Sequence, residues 1–315
     1  MNFVNVAVPL PLRSTFTYKN NTGESLLGKR VLIEFGKRKL VGVVTADDID
    51  FCGQYKIKDI LQVLDETPIF NDFQVKTIER ISEHYMHPIG IVFEAFLPTL
   101  LRKAKTQLDL NKYVVNVSDV NINENNFYEL TLDQKSCLEG IKKINGESLL
   151  FGVTSSGKTE VYKHYIKSLL LEGKSALVLV PEIFLTPQIY DEFKKNFNDS
   201  VYLYHSGLTE LQRYKIWLAA QDEKPKIIIG TRSAIFLPIK NLEAIIFDEE
   251  HDQSYKQQDG FRYDARNIAK IIFGGTANII YSSATPSLST LQNAKDNKMH
   301  CFLLKKRILI FLFVS

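Results

Sequence analysis

The sequence predicts an α/β protein in two parts, a small β-rich domain followed by a lobe built on a mostly parallel sheet. In residues 1–105, short apolar runs alternate with turn residues at regular spacing, which is typical of a small β-barrel or sandwich. From Leu130 onward, apolar strands alternate with helical runs, as in parallel α/β sheets. The length of 315 residues, with 45% hydrophobic content, is enough for about two domains.

The first part is expected to consist of strands followed by one helix. The strands are predicted at residues 4–8, 15–18, 29–35, 40–45 and 57–64. A helical run covers residues 72–85, until His87 and Pro88 interrupt it. The stretch 107–129 is rich in Asn and Asp and predicts a linker with at most one strand.

The second part is expected to alternate between strands and helices. The strands are predicted at residues 148–153, 175–180, 201–204, 226–229, 242–247 and 278–281. The helices are predicted at residues 160–171, 187–197, 210–220 and 266–273. We therefore divide the chain into a β-rich domain at residues 1–105, a linker at 106–129, an α/β lobe at 130–304 and a tail at 305–315.

Residues 152–159 read Gly-Val-Thr-Ser-Ser-Gly-Lys-Thr and match the complete phosphate-loop pattern GxxxxGK(S/T). The pattern lies between an apolar strand and a helix, where backbone N–H groups point at bound phosphates. Lys158 is expected to neutralise phosphate charge, and the Thr159 hydroxyl to hold Mg²⁺. The candidate nucleotide-binding residues are Gly152, Thr154, Ser155, Ser156, Gly157, Lys158 and Thr159.

A second apolar strand ends in acidic residues, because residues 244–251 read Ala-Ile-Ile-Phe-Asp-Glu-Glu-His. Asp248 can orient the Mg²⁺ shell, and Glu249 can polarise the water that attacks the γ-phosphate. For this segment alone, an acidic turn after a core strand is the alternative. Together with the phosphate loop, it favours a nucleotide hydrolase over a kinase, with Lys158, Asp248 and Glu249 as catalytic residues.

Composition sets weaker limits on function. A net charge of +3 and a pI near 8.5 are compatible with a nucleic-acid partner without arguing for one. The basic clusters at residues 36–39 and 101–105 are explained about as well by a solvated face as by DNA binding. Cys52, Cys137 and Cys301 form no CxxC pair, so neither a zinc site nor a disulfide framework is expected, and a cytoplasmic location is the default.

The two ends of the sequence indicate no membrane partner. Residues 1–6 lack the basic and apolar pattern of a secretory signal. The apolar stretch 307–315 is much shorter than the roughly 20 residues that span a bilayer.

Three further motifs follow predicted strands in a fixed order. They are Val-Pro-Glu-Ile at residues 180–183, Gly-Thr-Arg-Ser-Ala-Ile-Phe at 230–236 and Ser-Ala-Thr-Pro at 283–286. With the phosphate loop and the acidic segment, they resemble the motifs of the first RecA-like lobe of superfamily 2 DNA helicases. The longer strings at residues 205–209 and 248–266 resemble more narrowly the replication-restart helicases of the primosome.

This resemblance implies an ATP-dependent 3′-to-5′ DNA helicase of replication restart and primosome assembly, with ATP and Mg²⁺ as cofactors. Gln134, in the segment Leu-Thr-Leu-Asp-Gln at residues 130–134, corresponds to the family's adenine-reading residue. Ser283 and Thr285 would couple the nucleotide site to strand movement. Thr231 and Arg232 would meet the phosphate backbone of DNA.

The resemblance also implies two DNA-contacting regions. Residues 8–18, 35–37, 58–65 and 84–90 look like the family's 3′-DNA-binding domain. By similarity Phe16, Thr17, Gly36 and Lys58 would line its pocket, although Thr17 stands where the family usually has Asp. Barrel core is an equally good interpretation of Phe16.

The second region resembles the family's aromatic-rich loop, in which aromatic rings stack on bases and couple DNA to hydrolysis. Its members here are Tyr255, Phe261, Arg262 and Tyr263. Packing of these aromatic rings beneath a loop is the alternative. The implied partners are branched DNA with a 3′ end, single-stranded DNA, single-stranded-DNA-binding protein and other primosome proteins.

The sequence also departs from the family. Its second RecA-like lobe and its zinc-binding cysteines are absent, so the zinc expected in the full-length family has no ligands here. The linker is short for the winged-helix domain usually found there, and residues 308–315 do not fit the family, which suggests a truncated form.

Three functions remain as hypotheses. The preferred one is a truncated helicase that binds ATP and fork DNA but is poor at unwinding, and the alternative is a non-enzymatic remnant that binds forks or DNA ends. An unrelated phosphate-loop ATPase, such as a transporter subunit, is disfavoured because no LSGGQ-type signature is present.

Overall fold

The computed structural model describes residues 2–47, 49–50, 57–113, 115–185 and 187–308. Cys52 and residues 309–315 of the predicted tail lie outside these ranges. The chain forms two compact units. The first contains Met1–Val115, Thr209–Trp217 and Gln258–Tyr263, and the second contains Asn116–Leu208, Leu218–Gln257 and the chain from Asp264 onward.

Strands and helices alternate along the second unit, whereas most strands of the first unit precede its helices. The strands are β1 (Asn2–Ala7), β2 (Phe16–Asn20), β3 (Arg30–Phe35), β4 (Arg38–Ala46), β5 (Gln62–Val63), β6 (Glu147–Gly152), β7 (Ser175–Leu179), β8 (Val201–Tyr204), β9 (Ile227–Gly230), β10 (Leu242–Asp248), β11 (Asn278–Ser283) and β12 (His300–Leu304). The α-helices are α1 (Asp72–His84), α2 (Ile89–Phe96), α3 (Gln107–Leu110), α4 (Leu132–Lys142), α5 (Lys158–Leu171), α6 (Pro187–Phe197), α7 (Glu210–Gln221), α8 (Ala265–Phe273) and α9 (Leu288–Lys295). Short 3₁₀ turns occur at Thr99–Arg102, Glu124–Asn126, Glu182–Phe184, Asn198–Ser200, Arg232–Phe236 and Gln253–Tyr255.

The first unit contains an antiparallel sheet in the order β2-β1-β4-β3-β5. The segment before β5 connects its two sides: the Lys19 N–H donates to the Lys58 carbonyl at 2.9 Å, and the Leu61 N–H donates to the Leu32 carbonyl at 2.9 Å. The predicted strand at residues 57–64 is therefore a bridging segment with only a short regular strand. Alternating residues fill the interior, among them Val4, Val6, Tyr18, Val31, Ile33 and Val44.

Gly90 allows α2 to lie directly on the chain that follows β1. A Cβ atom at this position would lie 1.7 Å from the carbonyl oxygen of Val8, which is far inside van der Waals contact. The helix begins immediately after Pro88, at a position where the sequence analysis placed only a break.

A buried ion pair connects the barrel to the chain that follows α2. The guanidinium group of Arg30 is bonded to the Asp65 carboxylate, with Nη2 and Oδ1 2.5 Å apart, and both side chains are fully buried. Nη1 also donates to the Leu101 carbonyl at 2.6 Å, and Nη2 to the Lys105 carbonyl at 3.3 Å. One side chain thus fixes β3, the segment after β5 and residues 101–105.

The second unit contains a seven-stranded sheet in the order β12-β6-β11-β10-β7-β9-β8. Every strand pairing in it is parallel within the described residues. The central strands β7, β9 and β10 are rich in Val, Ile and Leu, because helices cover both faces of a parallel sheet, whereas the edge strand β12 is largely exposed. The predicted α/β architecture, with a β-rich domain before a RecA-like lobe, is confirmed.

The sequence analysis missed α4, α9 and the edge strand β12. The two helices begin with recognisable capping residues, and the strand is defined by its pairing with a neighbour in the sheet. Thr131 and Gln134 form a reciprocal capping box at the start of α4, and the Ser287 hydroxyl caps α9. Strand β12 pairs with β6 from His300 to Leu304, which extends the sheet beyond the predicted strands.

Among the described residues, no helix combines the length and the apolar character that crossing a bilayer requires.

Replacing Asp65 with Asn should destabilise the first unit by about 3 kcal/mol, because the buried Arg30 charge would lose its counter-charge. Urea denaturation followed by the fluorescence of Trp217, which belongs to this unit, measures the change. The matched control is Asp72→Asn, whose ion pair with Lys76 is exposed to solvent and is expected to contribute little to stability. Equal effects of the two substitutions would contradict a structural role for the buried pair.

Candidate nucleotide site and candidate nucleic-acid interface

The phosphate-loop residues form a tight turn between β6 and α5. Ser155 and Gly157 have φ angles of 63° and 78°, and the Ser156 N–H donates to the Val153 carbonyl at 3.0 Å. A Cβ on Gly157 would lie 2.3 Å from Nε2 of Gln134, so glycine is required both for the backbone angle and for the close approach. The turn directs the N-terminus of the 14-residue helix α5 toward the loop.

Two side chains of the loop are buried in the positions expected of a phosphate site. Lys158 is 8% exposed, and its Nζ donates to the Gly152 carbonyl at 2.9 Å. The Ser156 hydroxyl is buried and has no hydrogen-bond partner among the described residues. An unpaired buried hydroxyl beside a held ammonium group fits a loop that receives phosphate oxygens.

Gln134 lies against this loop and is almost fully buried. Its Oε1 accepts from the Thr131 N–H at 2.9 Å, which caps α4. Its Nε2 donates to the carbonyl of Ser156 at 3.1 Å and to that of Gly157 at 3.4 Å. The side chain therefore connects the start of α4 to the phosphate loop, and the adenine contact implied by the resemblance stays a prediction.

Asp248 ends β10 and is held by two hydroxyl groups. The Tyr162 hydroxyl donates to Oδ2 at 3.2 Å, and the Ser282 hydroxyl donates to Oδ1 at 3.1 Å. Burial and, after it, the neighbouring Glu249 charge together raise the pKa of Asp248 from 3.8 to about 6. The Thr159 side chain lies close enough to Tyr162 to lower the pKa of its hydroxyl, so the two predicted Mg²⁺ ligands share one neighbour.

These donors fit Mg²⁺, which prefers carboxylate, hydroxyl, water and phosphate oxygens and rarely has an all-protein cage. A carboxylate whose charge is disfavoured by its surroundings gains from a cation, which Lys158 already supplies in part. Across the described residues, no group of three or more His, Cys, Asp or Glu side chains forms a metal cluster.

Glu249 and His251 lie beside the motif at the end of β11. Glu249 has a left-handed backbone with a φ of 45°, and its Oε2 is 3.6 Å from Nδ1 of His251. Nδ1 of His251 is 2.9 Å from the Ser283 hydroxyl, and Nε2 is 3.5 Å from that of Thr285. The structure thus joins the two predicted coupling residues to the acidic segment through a histidine that sequence reasoning left without a role.

Glu250 is a second residue that the sequence analysis missed. It is fully buried, its Oε1 accepts from the Ser287 N–H at 2.6 Å, and its Oε2 accepts from Thr290 at 3.2 Å. Arg266 lies 3.7 Å from the same carboxylate and donates to the Glu250 carbonyl at 2.5 Å. The available signal in the sequence was a second glutamate directly after Glu249. The partners observed here are those that a fully buried carboxylate needs.

Tyr255 is a correction to the predicted DNA-stacking set. Its side chain is fully buried, and its hydroxyl donates to the Leu179 carbonyl at 2.7 Å and contacts the Asp248 carbonyl at 2.5 Å. A ring enclosed in this way has no free face for a base. Tyr255 instead fixes the backbone at the ends of β7 and β10.

The other members of the aromatic-rich loop are arranged differently. Phe261 and Tyr263 are 7% and 8% exposed, with ring centroids 5.2 Å apart, and Phe261 packs edge-on against Tyr85 at 5.7 Å. Arg262 is exposed between them. This arrangement corresponds to the packing alternative for the two rings, and their stacking on DNA stays a prediction.

The predicted backbone-binding residues follow β9. Thr231 is buried, whereas Arg232 is partly exposed. Arg232 donates to Gln257 at 2.7 Å and to the Ser254 carbonyl at 2.8 Å, and it lies 3.4 Å from Glu182. Contact of Arg232 with a DNA phosphate would therefore compete with this acidic neighbour.

A pocket of about 410 Å³ lies at one end of the barrel in the first unit. The structure brings all four predicted 3′-end residues into its lining, namely Phe16, Thr17, Gly36 and Lys58. Phe16 is partly exposed and meets Phe35 edge-on, with ring centroids 4.8 Å apart. Gly36 has a φ of 60°, which gives the turn between β3 and β4 its form.

Comparison with known families identifies the class of protein. The profile described as DEAD/DEAH box helicase matches residues 131–294, and the one described as 3′DNA-binding domain (3′BD) of PriA matches residues 5–98. The chain belongs to the DEAD/DEAH box helicase family.

Curated relatives that match nearly the whole chain are named replication restart protein PriA. The protein of that name from Haemophilus influenzae is 34% identical over 98% of this chain and 52% of its own length. The one from Rickettsia felis is 33% identical over 95% and 45%, and that from Bacillus subtilis is 40% identical over 57% and 23%. The chain spans about half the length, or less, of the curated relatives it matches.

Replacing Asp248 with Asn should stabilise the nucleotide-free protein by about 1–2 kcal/mol at pH 7.5. Because its folded pKa is raised, the native state binds more protons than the unfolded state between pH 3.8 and about 6, so stability falls as the pH rises through this range. The gain should be largely lost near pH 4, where Asp248 of the folded protein is protonated and therefore neutral like Asn. Urea denaturation at the two pH values, with Asp119→Asn as an exposed control, measures it.

Proposed function

We propose that the chain binds ATP with Mg²⁺, and DNA with a 3′ end, as part of an ATP-dependent 3′-to-5′ DNA helicase of replication restart and primosome assembly. The observation that carries the proposal is the hydrogen bond from Tyr162, on the helix after the phosphate loop, to Asp248 at the end of β10. It supports a single nucleotide site in which the loop and the acidic motif act together. The PriA relatives and the 3′DNA-binding profile support the DNA half.

Different residues of this chain would bind the phosphates, hold Mg²⁺ and activate the attacking water. Backbone N–H groups of residues 154–159 and the Lys158 ammonium would bind phosphate oxygens, while Thr159 and Asp248 would hold Mg²⁺. Bound Mg²⁺ offsets the charge of the β- and γ-phosphates. Glu249, one residue beyond Asp248, would accept a proton from the attacking water and orient it.

Hydrolysis would reach the DNA-contacting parts through His251. Its two ring nitrogens face Ser283 and Thr285, and Nδ1 also lies 3.6 Å from Oε2 of Glu249, which would face the attacking water. A change in charge at Glu249 would alter the attraction on His251 and, through it, the loop after β11. This chain of contacts supports the proposed coupling role of Ser283 and Thr285.

The DNA partners follow from the resemblance to replication restart protein PriA. Branched DNA with a 3′ end and single-stranded DNA are the proposed substrates, and single-stranded-DNA-binding protein and other primosome proteins are the proposed protein partners. We assign binding of ATP and DNA, but not unwinding, to these 315 residues by themselves, because they cover 52% of the length of the Haemophilus influenzae relative. The alternative, a DNA-end-binding protein without turnover, is distinguished by the next experiment.

Lys158→Ala should abolish binding of Mg·ATP, because a buried ammonium group that balances phosphate charge is removed. Fluorescence anisotropy of a labelled ATP analogue should show at least about a tenfold loss of affinity. Lys143→Ala, which removes an exposed lysine after α4, serves as the control. ATP turnover with and without a 3′-tailed fork is measured on the same samples.

Equal nucleotide affinity in the wild-type and Lys158→Ala proteins would contradict the site assignment. DNA-stimulated turnover that Lys158→Ala abolishes would support the helicase interpretation. Nucleotide binding without turnover would favour the end-binding alternative.

Lys58→Ala should weaken binding to linear single-stranded DNA with a free 3′ end by about tenfold. Binding to circular DNA of the same sequence should change little, because it offers no end to the pocket. Lys76→Ala, an exposed lysine on α1, is the control. Equal affinity of the wild-type protein for linear and circular DNA would count against the 3′-end assignment.

A further inference from the structure

The chain that leaves strand β12 runs beside the phosphate loop. Strand β12 pairs with β6 as far as Leu304 and Gly152, and the Val153 N–H then donates to the Leu304 carbonyl at 3.2 Å. Both segments therefore leave the sheet at the same edge. Ile308, which the sequence analysis placed in a tail without a function, reaches the loop shortly afterwards.

Ile308 contacts the loop with both its backbone and its side chain. Its N–H donates to the Ser155 carbonyl at 2.8 Å. Its Cδ1 atom packs against Gly157, since a Cβ on that glycine would lie 2.6 Å from Cδ1. The backbone contact fixes the orientation of one peptide group of the loop, and the side-chain contact keeps Ile308 in place.

A second group from outside the loop holds the next peptide. Nε2 of Gln134 donates to the Ser156 carbonyl at 3.1 Å. The carbonyls of Ser155 and Ser156 are thus both turned toward donors that lie outside the loop.

The orientation of these carbonyls determines where the N–H groups of the loop point. The described residues contain no cis peptide bond, and in a trans peptide the C=O and the N–H lie on opposite sides. The N–H groups of Ser156 and Gly157 therefore point away from Ile308 and Gln134. The Ser156 N–H accordingly donates within the loop, to the Val153 carbonyl at 3.0 Å.

We propose that Ile308 is a positioning residue for nucleotide binding, whose backbone N–H keeps the 155–156 peptide in the orientation that binds a phosphate oxygen. The inference rests on the proposed binding of Mg·ATP. Peptide N–H groups gathered by left-handed residues form an anion-binding concavity, and Ser155 and Gly157 have φ angles of 63° and 78°. A bound phosphate accepts from the Ser156 N–H, while the hydrogen bond from Ile308 persists.

The test compares Ile308→Pro with Ile308→Ala by displacing a fluorescent ATP analogue with Mg·ATP or with Mg·tripolyphosphate. Proline has no N–H and removes the hydrogen bond, whereas alanine keeps the N–H and shortens only the side chain. Ile308→Pro should weaken binding of both ligands by the same factor, about fivefold, because the lost contact acts on the phosphates and not on the base. Ile308→Ala should leave the affinity for tripolyphosphate within about twofold of the wild-type value.

The matched control is Lys306→Pro, which introduces the same ring at an exposed position and leaves the Ile308 N–H in place. It should leave both affinities within about twofold of the wild-type values. Thermal unfolding of each variant shows that its fold is intact.

Hydrogen exchange of the wild-type protein tests the same contact without a substitution. Protection of the Ile308 amide, followed by NMR of protein labelled with ¹⁵N-isoleucine, should persist when Mg·ATP binds. Loss of this protection on binding would overturn the proposal, because the hydrogen bond would then belong to the nucleotide-free loop alone.

The outcomes separate this inference from the function on which it rests. Equal affinities of folded Ile308→Pro and Ile308→Ala for tripolyphosphate, or tighter binding by Ile308→Pro, would overturn the role of the Ile308 N–H, while ATP binding itself would stand. Weaker binding of Mg·ATP by Ile308→Pro, with tripolyphosphate binding unchanged, would overturn it as well. Failure of the wild-type protein to bind either ligand would remove the proposed ATP binding, and the role of Ile308 with it.

Discussion

The parallel register of the seven-stranded sheet is the constraint on which the candidate nucleotide site depends. Parallel strands all place their carboxyl ends at one edge, where connecting loops carry the functional side chains. Phosphate loop, acidic motif and coupling motif follow β6, β10 and β11, which are adjacent or separated by one strand. Asp248 pairs in register with Ser282, and Ser282 with Leu150, so residues far apart in sequence meet at one level.

The same edge holds charges that the fold alone would disfavour. Asp248 has its pKa raised by burial, and Glu250 is completely enclosed. Each is surrounded by hydroxyl, amide or guanidinium donors, which lessen the penalty without removing it. The buried carboxylates therefore make the unliganded protein less stable and at the same time make the site favourable for a bound cation, as is common at functional sites.

Much of this could be predicted from sequence, because local patterns encode local structure. The strands of the lobe are apolar runs, and the phosphate loop is a contiguous motif with a glycine that its backbone angle requires. The roles of Tyr162, His251 and Glu250 could not be predicted, since their partners lie tens of residues away and depend on strand order.

Tyr255 was misassigned for a related reason. An aromatic residue between basic ones looks like a DNA-stacking ring, and only the tertiary structure shows that its hydroxyl is bonded to two strand ends. Phe16, Thr17, Gly36 and Lys58, by contrast, come from three separate segments, and the barrel does bring them together around one pocket.

The amide of Gln134 has a consequence for the energetics of nucleotide recognition. Both of its polar atoms are already used, one to cap α4 and the other to hold carbonyls of the phosphate loop. An amide oxygen has two lone pairs, so Oε1 could accept from an adenine while it keeps the cap, whereas an adenine that takes the Nε2 protons must displace the loop carbonyls. Base recognition would then leave the first turn of α4 in order and act on the phosphate loop, so one side chain would couple the base to the phosphates.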